Sequence, residues 1–279
     1  MLTLARDALD GVLAAMLAAP CIVCGRIADH PTRGAACEPC WTAIRFITPP
    51  YCVSCGEPLP SARTLTSLGL ATTPGHLSRP RCHRCAAHRP VVDQARALGP
   101  YEGTLRDLVH ALKYEGRRSV APRLAALLRE RCGTVLADAD AVVPVPLHRS
   151  REWSRGFNQA DAIARELGRP VWRSLRRTRH TLPQSALAAA ARRSNVQGAF
   201  ALRRVTWSRW RRICLPGACV VLVDDVSTTG ATLDACADVL KAGGVAEVRA
   251  LTVARAVLGH GAAAAAMPRP RKTVGPRVT

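Results

Sequence analysis

The sequence has few aromatic residues, almost no lysine and no long apolar segment. Only 4% of its 279 residues are aromatic, but 48% are hydrophobic, which is enough to bury a core. No apolar run approaches the roughly 18 residues that a membrane-spanning helix needs. A mean hydropathy of +0.03 also argues against a membrane protein or a wholly disordered chain. The sequence therefore predicts a soluble globular protein of about two modest domains, without membrane insertion.

Lysine accounts for only three of the 40 basic residues, Lys113, Lys241 and Lys272, and the others are arginine. The formal charge of +20 favours nucleic acid as a partner, because clustered cations neutralise phosphates. A biased genome composition is an alternative source of part of this excess, since alanine is also abundant. Composition alone does not choose between the two.

Acidic residues are absent from residues 167–223, which we call the Arg-rich segment. Trp172, Trp207 and Trp210 lie among its arginines, and basic residues interleaved with stackable aromatics are typical of single-stranded DNA contacts. An ordinary surface in an Arg-rich protein is the alternative interpretation. The arginines of the segment are Arg169, Arg173, Arg176, Arg177, Arg179, Arg192, Arg193, Arg203, Arg204, Arg209, Arg211 and Arg212.

The first residues resemble a leader peptide only superficially. Charged residues interrupt the apolar stretch 2–19, and Pro20 stands where a small residue would precede a lipidated Cys21. Apolar residues recur there at helical spacing, so we expect an amphipathic helix over residues 1–19. We expect a cytoplasmic protein, in which thiols stay reduced and clustered cysteines indicate a metal site or catalysis before disulfides.

Eight of the 12 cysteines form four Cys-x2-Cys pairs. Two such turns complete a tetrahedral Zn–S4 shell, so the pattern predicts two zinc sites in a domain over residues 20–92. Four protein ligands per zinc leave no open position for catalysis, so we expect a structural role that supplies roughly 10 kcal/mol or more of folding free energy to this domain. We expect sequential pairing of the Cys-x2-Cys turns, because it closes the shorter loops, and interleaved pairing is the alternative. Redox-active cysteine pairs and iron–sulfur ligation are the alternatives to zinc. The predicted ligands are Cys21, Cys24, Cys37, Cys40, Cys52, Cys55, Cys82 and Cys85.

A buried strand followed by a hydroxyl-rich loop is the most informative part of the chain. The apolar run Val220–Val223 predicts a strand covered on both faces of a parallel sheet, and two acids follow it. Helical spacing resumes after Gly230, so the loop leads into a helix N-terminus, where backbone N–H groups bind phosphate. The segment carries neither the GxxxxGK[ST] nor the GxGxxG motif. It suits a ligand with a ribose diol and a phosphate, and ordinary helix capping is the alternative.

Apolar strands are predicted near residues 95–99, 140–145, 219–224 and 247–254, separated by helical patterns. Alternation of strands and helices is typical of an α/β fold with an open, mostly parallel sheet. We assign this domain to residues 93–256, behind the small zinc-binding domain. Residues 257–279, with an alanine run and a basic end, are expected to be a disordered basic tail.

Residues Val220 to Thr232 resemble the phosphoribosyl-pyrophosphate (PRPP) motif of type I phosphoribosyltransferases. The chain from residue 20 to about 255 resembles the ComF family, through the Cys-x2-Cys pairs, Leu112-Lys-Tyr-Glu-Gly-Arg117, Val143-Pro-Val-Pro-Leu147, Arg155-Gly-Phe-Asn-Gln159 and the PRPP motif. The resemblance implies a Rossmann-like sheet and a PRPP site with Mg²⁺. The implied PRPP-binding residues are Asp224, Asp225, Val226, Ser227, Thr228, Thr229, Gly230, Ala231 and Thr232.

Three further segments acquire roles from the same resemblance. It implies a pyrophosphate loop at Pro144, Val145, Pro146 and Leu147, and a mobile loop closing over PRPP at Arg151, Arg155, Gly156, Phe157, Asn158 and Gln159. Asp224, Asp225 and Arg155 would be the catalytic residues. Lys113 is a candidate phosphate contact, with a solvated lysine as the alternative. For Arg155 the alternative is an exposed arginine before a helix that starts at Asn158.

The acceptor of the transferred group is not identified by any segment. Phosphoribosyltransferases for 6-oxopurines place an acid at the fifth motif position, which is Thr228 here, so no purine assignment carries over. The family implies a role in uptake or processing of single-stranded DNA during natural competence, with a DNA-uptake helicase as a further partner. The alternative is a non-enzymatic module that senses PRPP or a nucleotide.

Overall fold

A computed structural model of the protein describes residues 20–27, 35–61, 80–179, 196, 198–203 and 215–257. The predicted helix over residues 1–19 and nearly all of the predicted tail, 258–279, lie outside these ranges. So do Trp207, Trp210 and half of the arginines of the Arg-rich segment. Within the described residues, none of the helices has the length and apolar character needed to cross a membrane.

Four parallel strands form the central sheet, in the order β1-β6-β5-β2. This confirms the predicted parallel α/β fold, and each of the four predicted strands is present. A two-stranded antiparallel sheet, β3 with β4, accompanies it. The strands of the described residues are β1 Gln94–Pro100, β2 Ala141–Pro144, β3 Leu175–Arg177, β4 Phe200–Leu202, β5 Cys219–Ser227 and β6 Glu247–Arg255.

Helices cover both faces of the central sheet, which explains why β5 is apolar on both sides. Val221 and Val223 pack with α3, α4 and α6, whereas Val220 and Leu222 pack with α7 and the small β3–β4 sheet. All four of these residues are fully buried. The described helices are α1 Glu38–Thr42, α2 His83–Ala87, α3 Gly103–Tyr114, α4 Ala121–Leu136, α5 Arg149–Arg155, α6 Gln159–Ala164 and α7 Ala231–Ala242, with a 3-10 turn at Arg118–Val120.

The cysteine-rich module packs directly against β1. The Ile47 amide donates to Leu98 O at 3.0 Å, and the Ala95 amide donates to Ser54 O at 2.7 Å. The backbones of the two modules approach each other closely at Gly99, where a Cβ would stand 2.2 Å from Arg45 O, so this position requires glycine. The two modules therefore share one continuous interface.

Candidate functional site

The eight predicted zinc ligands form two separate clusters. Their sulfurs lie within 4.8 Å of one another in each set, Cys21, Cys24, Cys37 and Cys40 in the first, and Cys52, Cys55, Cys82 and Cys85 in the second. The Cys21–Cys40, Cys24–Cys37 and Cys55–Cys82 sulfur distances are 3.8, 3.6 and 3.6 Å. Tetrahedral Zn–S bonds of about 2.3 Å place sulfurs about 3.8 Å apart. The donor set therefore fits zinc, and sequential pairing is confirmed.

Thiolate chemistry in the second cluster also calls for a cation. A hydrogen bond from Cys55 lowers the pKa of Cys52 to about 4. Burial raises the pKa of Cys85 to about 12, and the neighbouring Cys52 thiolate adds to that rise. Four such groups can ionise together only beside a positive ion. With all four positions filled by cysteine, the metal has a structural role.

The predicted PRPP loop lies at the carboxyl end of β5 and leads into α7. Asp224 and Asp225 are at the end of this strand, and Gly230 precedes the helix with φ of +84°, in the left-handed region. A non-glycine residue would be strained there. Thr229 Oγ1 accepts from the Ala231 amide at 3.4 Å. The loop thus directs a helix N-terminus, with its partial positive charge, toward the acid-bearing edge of the sheet.

Lys113 reaches this acid pair from α3. Its Nζ lies 2.8 Å from Asp225 Oδ1, with side-chain exposures of only 16% and 11%. Although burial opposes the charge, the Asp225 carboxylate raises the pKa of Lys113. The lysine that the sequence singled out is therefore in the site, bonded to a motif carboxylate.

Asp224, the other acid of the motif, has a strongly raised pKa. Burial and repulsion from Asp225 raise its pKa to about 7, although part of its side chain still meets solvent. The Asp225 amide donates to Asp224 Oδ1 at 2.8 Å. Arg177, on β3, is near enough to lower the pKa of Asp224, opposing that rise. Sequence reasoning missed this role, because Arg177 is one of many arginines in the Arg-rich segment.

The predicted pyrophosphate loop begins at the end of β2, beside the PRPP loop. Val145 is buried, and its amide donates to Val223 O at 2.9 Å. Asn158 Nδ2 donates to Val145 O at 3.0 Å, while Asn158 Oδ1 accepts from the Ala160 amide. Asn158 therefore caps α6, as the alternative interpretation expected, and holds the backbone of the loop.

The predicted mobile loop is ordered as the end of α5, a turn at Gly156 and the start of α6. Arg155 Nη1 donates to Gln159 Oε1 at 3.2 Å, and its guanidinium lies 5.1 Å from the centre of the Tyr114 ring. Arg118 donates to Gly156 O at 2.7 Å. The segment thus contacts Tyr114, within the motif Leu112–Arg117, and Arg118, directly after it.

Within the Arg-rich segment, the described arginines do not form one uniform surface. Arg173 pairs with Asp161 at 2.6 Å, and Arg203 Nε donates to Leu175 O at 3.1 Å. Arg177 faces the acid pair, whereas Arg179 is exposed. An aromatic residue that the sequence did not single out, Trp153 on α5, is 92% exposed.

Comparison with known proteins matches both modules. The family described as "Double zinc ribbon domain" matches residues 12–68, and the "Phosphoribosyl transferase domain" matches residues 153–268. The chain is 31% identical over 239 residues to "Competence protein F" of Haemophilus influenzae, covering 81% of this chain and 93% of that protein.

Two further relatives span similar shares of the chain. Identity to "DNA utilization protein YhgH" of Escherichia coli K12 is 34% over 215 residues, or 73% of this chain and 89% of that protein. Identity to "Competence protein ComFC" of Bacillus subtilis is 26% over 227 residues, or 78% and 83%. With its double zinc ribbon and phosphoribosyltransferase domain, this chain belongs to the ComF family of competence-associated proteins.

Proposed function

We propose that the chain binds PRPP with Mg²⁺ at the loop that follows β5 and acts as a phosphoribosyltransferase. The observation that carries this proposal is the arrangement of one short segment: two acids at a strand end, a hydroxyl-rich loop and a glycine-capped helix N-terminus. That order provides carboxylate acceptors for the ribose hydroxyls beside N–H donors for the 5′-phosphate. Both halves of a phosphorylated sugar are then held by nine consecutive residues, 224–232.

Each part of PRPP has a counterpart among the named residues. Asp224 and Asp225 accept hydrogen bonds from the ribose diol, and the backbone of residues 228–232 holds the 5′-phosphate. The loop Pro144–Leu147 holds the diphosphate. Mg²⁺ fits this donor set, because carboxylate and diphosphate oxygens are hard ligands. When bound, it neutralises charge on the leaving diphosphate.

Arg155 supplies the closing movement over PRPP. Its contacts with Gln159 and the exposed ring of Tyr114 are weak enough to exchange for a diphosphate, whose charge grows as the bond to C1′ breaks. Movement of residues 151–159 over the ligand would also exclude water from an oxocarbenium-like centre. Lys113, 2.8 Å from Asp225 Oδ1, orients this carboxylate while this occurs.

The binding proposal is tested by calorimetry of PRPP with Mg²⁺. We expect wild type to bind, Asp225→Asn to bind at least about tenfold more weakly, and Asp238→Asn to match wild type. Asp238 is the matched control, because it is an exposed acid on the same helix, α7, and lies away from the loop. Undetectable binding to wild type would contradict the proposal.

Enzymatic activity is separated from a sensing role by a second measurement. A transferase releases diphosphate from PRPP only when an acceptor is added, whereas a binding module holds PRPP without turnover. Diphosphate release is therefore assayed with PRPP and Mg²⁺ against bases, nucleotides and single-stranded DNA. Failure of every acceptor, with PRPP binding intact, would favour the non-enzymatic module.

A second function, contact with single-stranded DNA, is favoured by Trp153. Its ring is 92% exposed on α5, a helix that also carries Arg149, Arg151 and Arg155. An exposed ring among arginines suits base stacking, and the names of the relatives mention competence and DNA utilization. The DNA-uptake helicase stays a prediction from the family.

Binding of single-stranded DNA at several salt concentrations tests this second function. Trp153→Ala should weaken binding by roughly 1–3 kcal/mol, and Trp153→Phe should retain most of it, because stacking needs only an aromatic face. Neutralising Arg149 and Arg151, which lie on the same helix as Trp153, should flatten the salt dependence. An unchanged affinity in Trp153→Ala would remove this residue from the interface.

A further inference from the structure

Arg255 is a buried arginine at the end of β6 that joins the second cysteine cluster to the central sheet. Only 2% of this residue is exposed. Its guanidinium donates to Cys55 O at 2.8 Å, to Cys55 Sγ at 3.5 Å and to Glu57 Oε2 at 2.6 Å. One side chain thus bonds a zinc ligand through both its backbone and its sulfur. An N–H···S bond of this kind stabilises a metal-bound thiolate.

The strand that carries Arg255 is also paired with the PRPP motif. Arg255 lies opposite Ser227 in the parallel ladder of β5 and β6, and the following amide, that of Ala256, donates to Ser227 O at 2.9 Å. Ser227 stands between the acid pair and Gly230, the two parts of the motif that the proposed function uses. Arg255 therefore links two sites, the zinc cluster through its side chain and the PRPP loop through its strand.

Among the described residues, the second cluster has almost no apolar core apart from its own ligands. Its buried residues are Cys52, Cys55 and Cys85, with Leu59 and Cys82 packed against them. All of these except Leu59 are metal ligands, so the ion is the main source of order in this part of the module. The partners of the Arg255 guanidinium therefore depend on zinc for their position.

Loss of zinc would reach the PRPP loop through Arg255. The guanidinium would lose its partners and become a buried unpaired charge, which is strongly unfavourable. Movement of Arg255 toward solvent would weaken the pairing of its strand with Ser227. PRPP would then have to order a looser loop when it binds, so its affinity would fall. By linkage, PRPP raises zinc affinity by the same factor by which zinc raises PRPP affinity.

We propose that Arg255 is a positioning residue that couples zinc at the second cluster to PRPP binding at the loop after β5. The inference rests on the proposed PRPP-binding function and adds regulation to it, since a chain that has lost this zinc binds PRPP more weakly. The first cluster provides an internal control, because its helix α1 packs on α4, where Arg123 lies over the Trp41 ring.

The test is the rate at which a chromogenic chelator removes zinc from the wild-type chain, with and without PRPP and Mg²⁺. We expect one phase from each cluster, assigned with Cys24→Ser and Cys82→Ser, which each remove one half-buried ligand from one cluster. PRPP should slow the second-cluster phase about tenfold and change the first-cluster phase by less than about twofold. Calorimetry under the same conditions measures whether PRPP is bound.

Arg255→Lys tests the residue itself. Lysine keeps the charge and can bond Glu57, but its single ammonium group cannot replace the three contacts of the guanidinium. We expect faster zinc release from the second cluster, and protection by PRPP reduced to about twofold or less. Arg45→Lys is the matched control, because Arg45 also joins the module to the domain behind it, through Glu102, but is 69% exposed. This control should behave as wild type.

Three results would overturn the inference. They are zinc release from the second cluster that bound PRPP leaves unchanged, equal slowing of both phases, which indicates that PRPP stabilises the whole chain, and full protection by PRPP in Arg255→Lys. The first two need only the wild-type chain, so they apply even if Arg255→Lys does not fold. In all three, calorimetry shows PRPP bound, and the proposed function stands. Absence of PRPP binding in calorimetry instead removes the proposed function, and the coupling with it.

Discussion

The ion pair between Lys113 and Asp225 makes a quantitative prediction about Lys113→Met. The Nζ–Oδ1 distance is 2.8 Å, and both side chains are largely buried. At an effective dielectric constant of about 20, charges at this separation attract by about 6 kcal/mol. Desolvation of both groups offsets much of that energy, but loss of one partner leaves a buried unpaired charge. We expect Lys113→Met to destabilise the protein by about 3 kcal/mol at pH 8.

The loss should shrink in acid, since fewer negative charges are then left without a partner. Lys113 opposes the raised pKa of Asp224, so its removal raises that pKa further above about 7. At pH 5 Asp224 is already protonated, and only one carboxylate loses its counter-charge. At pH 8 the variant must either keep two adjacent carboxylates charged without Lys113 or protonate one of them, which costs free energy at this pH. We therefore expect a loss of about 2 kcal/mol at pH 5.

Urea unfolding monitored by circular dichroism in zinc-containing buffer measures these free energies. A loss of 3 kcal/mol corresponds to a midpoint lowered by about 1–2 M urea. Lys241→Met is the matched control: its pair with Asp93 has the similar distance of 2.9 Å, but both side chains are 32% exposed. That variant should lose no more than about 1 kcal/mol.

The double variant Lys113→Met/Asp225→Asn completes a thermodynamic cycle. It replaces the pair by neutral groups of similar shape, so its stability should return to within about 1 kcal/mol of wild type. A double variant as unstable as Lys113→Met would refute the reasoning, because the loss would then come from packing of the lysine stem. A loss below about 1 kcal/mol in the single variant would refute it as well.

Three further predictions concern other parts of the molecule. Burial and repulsion raise the pKa of Asp224 from 3.8 to about 7, so wild type loses stability as pH rises through this interval. Asp224→Asn lacks this titration. Its unfolding free energy relative to that of wild type should therefore be about 2 kcal/mol higher at pH 8 than at pH 4, measured by urea unfolding. Arg255 bonds Glu57 at 2.6 Å with only 3% of its side chain exposed. Arg255→Met should cost about 3–5 kcal/mol, and Arg255→Met/Glu57→Gln should recover only part of it, because Arg255 also donates to Cys55 O at 2.8 Å. Elemental analysis should find two zinc per chain, and chelation should unfold the zinc module, seen as loss of its near-ultraviolet dichroism.

The sheet could be predicted because its strands carry unambiguous local signals. Val220 to Val223 are covered on both sides of the sheet, so the strand appears in the sequence as a continuous apolar run. The Cys-x2-Cys spacing by itself indicates metal ligands. Helix α3 has an equally local signal, because Leu105, Leu108, Val109 and Leu112 recur at helical spacing and are all buried. Periodicity and spacing are local properties, so they can be recognised in a single sequence.

The electrostatics of the site could not be predicted in the same way. The Lys113–Asp225 contact joins residues 112 positions apart in the chain, and no local pattern specifies it. In the sequence, Arg177 cannot be distinguished from the other arginines of the Arg-rich segment. Only the structure places it near Asp224. Ser227 belongs to the PRPP motif, yet it lines a cavity of about 230 Å³ together with Cys55 and Cys85 of the zinc module. The direction of a side chain in a loop depends on tertiary contacts, which spacing does not encode.

The high arginine content has a structural use that composition alone conceals. Arg45 pairs with Glu102, and Arg123 lies over the Trp41 ring, so each joins the zinc module to the domain behind it. Arg96 donates to Val53 O while its guanidinium stacks 4.4 Å from the centre of the Tyr51 ring. A planar guanidinium can donate hydrogen bonds and stack on a ring at once, which lysine cannot do, so these contacts favour arginine. Counting positive charges therefore overestimates affinity for nucleic acid. The arginines that neutralise phosphates should be sought beside Trp153 on α5, away from this interface.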